Sequence, residues 1–552
     1  MMDDQVESSQ VETVESKELD TESTANKSMA SGLSGDTSCT ASTPNISSYF
    51  NQAVEDDPFG SIVTESTKER STSAPAHPAP AAPSVGESQE QSSIFNNELS
   101  NQNPPSVHDV SETVSDVSPA ETNRMFDAWI PTETTRRFLV QALATGGKFH
   151  LPPDKVLKPR LAMADTQADP VYQETFKLRG EVESQKKQTL NLNNVEQNMS
   201  GLQQLIKAEC WRSALDLTVI LLTNMNQGLQ PVGNSMESVI SESSMKVWAV
   251  RVSLLTKLRM YSIAEAECQQ FSHMDSPELH FEFHHQLYPG RNGSMVPFSL
   301  RLLYACLPQF LGRHNESLDR LFYIREQVTK ILHNLQSGGC EDGGATVISE
   351  ASRTASLSLW RQRELQVLYT LASGLTDMRE FRLATKMYEE ILVKDADNAC
   401  FTYSTLARVC LLMGALKCAE KYFKLSTDAC KDEELKAGLA LLHSGYLNVC
   451  SGNYGQAPAL FAKAATHPLL TTLAKNNAAA SMLYSEQVKT ATLVLEELIM
   501  SDPSKYLQDT IVTNLCSFYE LEVNAALVKK HRLLFLVNQH KGNGFNINCL
   551  KV

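Results

Sequence analysis

The sequence predicts an all-α protein, an α-solenoid superhelix of stacked helical hairpins behind a long disordered N-terminal tail. Three observations predict it. A small residue recurs inside a fixed apolar frame between Leu368 and Pro503. The stretch before each recurrence reads as an amphipathic helix. The acidic charge of the chain is concentrated in its first 120 residues.

The recurring frame is a large residue, Ala three positions later, and a second large residue four beyond that. It reads Phe381, Ala384, Tyr388; then Leu416, Ala419, Phe423; then Tyr454, Ala457, Phe461; then Val488, Ala491, Leu495. The starts step by 35, 38 and 34 residues, the period of a two-helix repeat. Two antiparallel helices cannot approach if both carry bulk at the crossing, so the alanine marks the crossing. The large residue before it closes the turn, and the one after it fills the groove to the next hairpin. A lone hairpin cannot bury its apolar face, so hairpins stack. The helices upstream agree: Leu368, Leu371, Ala372 and Leu375 share one face, as do Tyr403, Leu406, Ala407 and Cys410. Gly445 falls at the small position of a first helix, and Ser501-Asp502-Pro503 ends the fourth unit.

These four units, over 359–505, resemble tetratricopeptide repeats. The motif's first-helix glycine is present only as Gly445 and its closing proline only as Pro503. The resemblance implies a concave face for binding a partner segment, lined by first-helix residues such as Ser404 and Arg408. Members that grip a chaperone's C-terminal carboxylate set Lys and Asn on consecutive first helices. Tyr369, Ser373, Ser404 and Arg408 stand at those places here, so that role is not expected.

Charge divides the chain. Residues 1–120 hold 20 acidic and 4 basic residues, which leaves 44 and 45 for the remainder. The body is near neutral and has no basic field for nucleic acid. The first 120 residues are rich in Ser, Thr, Pro and Asn and too poor in apolar residues to offset chain entropy, so disorder is expected. Thr43-Pro44 and Ser118-Pro119 are candidate proline-directed phosphorylation sites.

Residues 121–195 read as an extended segment with one short helix, near Arg136–Leu143, capped by Thr132 or Thr134. Its aromatic, proline-punctuated stretch Phe126-Asp127-Ala128-Trp129-Ile130-Pro131 packs along this chain's own array or docks on a partner. Degenerate hairpins follow over 196–358, with Trp211, Ala214 and Thr218, then Tyr261, Ala264 and Cys268, at the repeat spacing. A Gly/Ser-rich insertion over 337–353 reads as mobile. Residues 506–552 read as capping helices, with the basic run Lys529-Lys530-His531-Arg532 giving the stack a polar end.

No apolar run is long enough to span a bilayer. Twelve cysteines lack any Cys-x-x-Cys pair, and Cys410, Cys418 and Cys450 fall at core-like positions; they read as buried thiols. His280 and His284 have the spacing of zinc-protease ligands, but Glu282 is misplaced for that chemistry. No phosphate loop, nucleophile elbow or dinucleotide fingerprint occurs. No catalytic residue, cofactor or metal is expected.

The layout as a whole resembles the large subunits of the trafficking protein particle (TRAPP) tether. The residues that carry this are Phe126–Pro131 with Arg136-Arg137-Phe138-Leu139, the late repeats, and the closing Lys541-Gly542-Asn543-Gly544-Phe545-Asn546. The resemblance implies a non-catalytic scaffold whose partners are other large and core subunits, and indirectly a Rab GTPase and vesicle membranes. It implies a cytoplasmic protein, peripheral at the ER-Golgi intermediate compartment and Golgi. It further implies service in endoplasmic-reticulum-to-Golgi transport, with links to autophagy and to mitotic kinetochore assembly. A stand-alone cell-division adaptor is the alternative.

Overall fold

The structure, a computed structural model, describes residues 117–145, 156–163, 168–185, 187, 189–229, 240–344, 346–522 and 526–552. Thr43 and the expected tail up to residue 116 lie outside the described residues. Every described element belongs to one compact unit within Thr43–Val552. Among the described residues there is no β-strand, only one isolated bridge between His280 and Ser294.

Helices α1 (Pro119–Asp127), α2 (Glu133–Ala144) and α3 (Pro170–Arg179) precede the array. Ser118 caps α1 with Pro119 in its first turn, and Thr132 caps α2. Among the described residues seven hairpins follow. They pair α4 (Met199–Lys207) with α5 (Trp211–Asn224), α6 (Glu242–Lys257) with α7 (Tyr261–Gln269), and α8 (Phe298–Phe310) with α9 (His314–Gln336). The later four pair α10 (Glu350–Asp377) with α11 (Phe381–Lys394), α12 (Ala399–Leu412) with α13 (Leu416–Ala429), α14 (Glu433–Cys450) with α15 (Ala457–Ala464), and α16 (Thr471–Tyr484) with α17 (Val488–Ser501). Helices α18 (Asp509–Leu521) and α19 (Ala526–His540) complete the stack. Each helix from α4 to α19 packs on the next in sequence order.

All seven hairpins turn the same way. At the turn of each hairpin stands a left-handed residue: Glu209, Arg259, Gly312, Arg379, Gly414, Gly452 and Glu486, with φ from +55° to +81°. The next residue's N–H donates to the carbonyl five back, as in Cys210 to Leu205, Glu380 to Leu375, Ala415 to Cys410 and Gln487 to Met482, all at 2.9 Å. This bond satisfies a terminal carbonyl that the helix leaves orphaned. Four of the seven carry a side chain in a conformation that favours glycine, at a cost of about 1 kcal/mol each.

The alanines sit at the crossings. Ala384, Ala419, Ala457 and Ala491 have no exposed surface, and Tyr388, Phe423 and Phe461 are buried beside them. Phe381 and Tyr454 are half-buried at the turns. First helices are joined by a lateral ladder of side-chain hydrogen bonds. Tyr369 on α10 meets Thr402 on α12 at 3.1 Å, and Ser404 on α12 meets His443 on α14 at 3.0 Å. Asn477 on α16 donates to Tyr446 on α14 at 3.2 Å, and Asn514 on α18 donates to Asn476 on α16 at 2.9 Å. Each rung bonds a polar group buried or half-buried between neighbouring helices, and so sets their register.

The end of the chain returns to its first hairpin. Asn543 accepts from the Arg212 N–H at 2.9 Å and donates to Ser213 at 2.8 Å. Glycines flank it because nothing larger fits. A Cβ on Gly542 would lie 2.2 Å from the Glu209 carbonyl oxygen, and one on Gly544 would lie 2.6 Å from the Trp211 ring. Arg259, in the turn between α6 and α7, pairs with Asp509 on α18 at 3.0 Å, and Arg179 on α3 lies over the Phe535 ring of α19 at 5.0 Å. Residues 541–550 therefore clasp the first hairpin.

One expectation is corrected, and two stretches gain detail. Within the expected 337–353 insertion Glu341 is buried and accepts from Arg124 at 3.0 Å and Ser356 at 2.6 Å, and α10 begins at Glu350. Cys418 and Cys450 are exposed, although Cys410 is buried; a thiol on an alanine-sized position can face either side of a helix. Ahead of residue 121, Val117 is buried and packs with Met125 against Ala355 and Leu359 of α10.

Candidate interaction surface

The Trp129 segment packs on the array. Trp129 is buried and donates to Asp275 at 2.6 Å. Arg301 of α8 lies over its ring at 4.0 Å and pairs with the same carboxylate at 2.8 Å. Tyr323 of α9 donates to Asp275 as well, and Thr135 donates to its carbonyl at 2.7 Å. Burial pushes the Asp275 carboxyl up, but Arg301 and the hydrogen bonds outweigh it and hold it below its ordinary value. Asp127 pairs with Arg291 at 2.6 Å, and its carbonyl accepts from Ser294 at 2.7 Å. Phe126–Pro131 is thus a fastening within the chain.

Beside this fastening the His280 cluster is structural. His280 is fully buried, its Nδ1 lies 3.1 Å from the Ser276 carbonyl, and burial with the nearby Arg301 lowers its pKa to about 4. His284 bonds the Glu278 carbonyl at 2.9 Å. Among the described residues no group of three His, Cys, Asp or Glu could hold a metal ion. Among them, too, no helix is long and apolar enough to cross a membrane.

Of the two first-helix residues expected on an open face, Ser404 is a correction. It is buried and spent on the rung to His443, whose ring stacks on Phe423 at 4.2 Å. Burial of that imidazole, with Arg408 nearby, lowers its pKa to about 3. Arg408 is half-buried and donates to Thr405 at 2.8 Å. It belongs to a stripe at helical spacing on α12: Phe401, Thr405, Arg408 and Leu412. Phe401 and Leu412 are each about half exposed. The sequence carries this signal as an i, i+4, i+7, i+11 pattern. It is overshadowed by the buried face of the same helix, which is apolar too. Ser118, the described candidate phosphosite, is exposed and caps α1, its Oγ accepting from the Glu121 N–H at 3.4 Å.

The arrangement offers an open stripe of two large apolar residues around a guanidinium, on a rigid frame. Comparison with known proteins decides the kinship. Mouse trafficking protein particle complex subunit 12 is 36% identical over 442 residues, 79% of this chain and 55% of the relative. The human protein of that name is 36% identical over 443 residues, 79% of this chain and 60% of the relative. The chain is a relative of trafficking protein particle complex subunit 12. It spans less than two thirds of the length of these subunit 12 proteins. No family model matches the chain. Among solved structures, the apo quorum sensor NprR from B. thuringiensis aligns with 77% of this chain and 98% of its own, at 13% identity and a TM-score of 0.33. The tetratricopeptide domain of P58(IPK) aligns with 64% and 95%, at 12% identity and a TM-score of 0.15.

Proposed function

We propose that the chain is a non-catalytic scaffold subunit of a trafficking protein particle complex that tethers vesicles between the endoplasmic reticulum and the Golgi. The single observation that carries the reading is the 36% identity to subunit 12 over 79% of the chain. Stacked hairpins with a bonded first-helix ladder suit a rigid frame, which gains affinity by not reordering on binding. On this reading the stripe of Phe401, Arg408 and Leu412 docks another large subunit, with an aromatic and an arginine as its energetic centre. The Rab GTPase and the vesicle membrane are reached through the other subunits, and the chain works in the cytoplasm at the Golgi side.

The test is purification of the tagged chain from cells, with size-exclusion chromatography of the extract. Elution in a very large assembly with the other subunits is the expected result. Phe401→Asp and Arg408→Glu, at exposed and half-buried positions, are expected to keep the helical circular-dichroism signal and lose those subunits. A folded variant that retains them all removes the α12 stripe as the docking face. Elution of the unaltered chain as a free monomer between divisions removes the tether reading and favours the stand-alone adaptor.

A further inference from the structure

Residues 156–163 run extended across the first hairpins, and their burial alternates. Leu157, Pro159 and Leu161 face inward, while Val156, Lys158, Arg160 and Ala162 are exposed. Leu157 and Leu161 join the core built by α4 to α8. The array meets the backbone of this segment with polar groups from five residues. The Leu157 N–H donates to Glu278 at 2.6 Å, the Arg160 N–H to Gln270 at 2.6 Å, and the Ala162 N–H to Glu267 at 3.1 Å. The Leu161 N–H donates to the Gln227 carbonyl at 3.3 Å. Arg251 completes the set from α6, donating to the Met163 carbonyl at 3.2 Å.

We propose that this groove is a peptide-binding site that reads an extended Leu-x-Pro-x-Leu segment, that Leu157–Leu161 is its ligand in cis, and that the same motif on another polypeptide can replace it. The division of labour is that of peptide recognition, in which main-chain bonds hold the strand and alternate side chains fill pockets. Arg251 and Glu267 have no exposed surface and form a two-bond pair at 2.8 and 2.7 Å. Each also bonds the backbone of the segment, so the buried charges face a peptide main chain. Pro159 lacks an N–H and so needs no acceptor, and its ring holds the strand extended at low entropic cost. Lys158 and Arg160 point outward, so the groove reads leucine, proline and backbone and is indifferent to the charges between. No bond to the groove depends on the segment being in the same chain. Tethering alone supplies an effective concentration of roughly millimolar order, which keeps the cis segment in place against weak competitors.

The probe is a fluorescein-labelled peptide of residues 155–164, titrated by anisotropy against the full chain. In the variant Leu157→Asp with Leu161→Asp the cis segment loses both anchors while every groove residue is kept. The expected result is binding to this variant at least ten-fold tighter than to the unaltered chain. A peptide in which both leucines are serine should compete at least ten-fold more weakly. A variant with unchanged helical signal that binds the peptide no better than a scrambled one overturns the proposal. Should the double variant fail to fold, Leu161→Ala releases one anchor only. At least a three-fold gain over the unaltered chain is then expected, and no gain overturns the proposal equally. Complex membership plays no part in either titration.

Discussion

Gly445→Ala tests the packing principle at its tightest point. Gly445 is buried on α14, and a Cβ there would lie 2.5, 2.7 and 2.8 Å from the Phe461 ring atoms Cε1, Cζ and Cδ1. Carbon atoms rest about 3.5–4.0 Å apart, so the ring must retreat by roughly 1 Å. It has little room. Phe461 is 1% exposed and abuts Tyr446 at a centroid distance of 5.6 Å and 66° between planes. Overpacking of this kind costs about 1–3 kcal/mol, and alanine's better helix propensity returns up to about 1 kcal/mol. The net expectation is a loss of about 1–2 kcal/mol, read as a lower urea midpoint and faster amide exchange in α14 and α15. Phe461→Leu should weaken the unaltered chain but recover stability in the Gly445→Ala background, since the two positions touch. A Gly445→Ala protein as stable as the original would refute the claim that small residues let these helices approach.

Gly414 separates conformation from packing: its φ is +73° and no atom would lie within 4 Å of an added Cβ, so Gly414→Ala should cost about 1 kcal/mol by backbone strain alone. Arg379→Gly, at the equivalent turn with φ +62°, should stabilise by up to about that amount, read from the same urea midpoints. Asn543→Ala removes both clasp bonds and leaves the Arg212 N–H without this acceptor, at about 1–3 kcal/mol; amide exchange should quicken in α4 and α5 and not in α12 and α13. For pH, His443 is held neutral in the fold, with its pKa lowered to about 3. The unfolded chain binds its proton near pH 6.5, so this residue's contribution is constant above that pH and is lost as pH falls from 6.5 toward 3. His443→Gln keeps a partner for Ser404 and should flatten that limb relative to the unaltered chain in thermal melts at pH 7 and pH 4.5.

The sequence by itself determined the repeated unit. Ala384, Ala419, Ala457 and Ala491 mark four crossings because packing density admits only a small side chain there, and that constraint is local and periodic. Tertiary structure decided which polar residues remain open. Ser404 and Arg408 lie four apart on α12, yet the neighbouring His443 claims one, and only the helix-to-helix angle selects which. It also decided that Trp129, Leu157 and Leu161 fasten to their own chain, and that Asn543 reaches Ser213 across 330 positions. Periodicity carries no information about such pairs, because each partner's environment exists only once the hairpins have stacked.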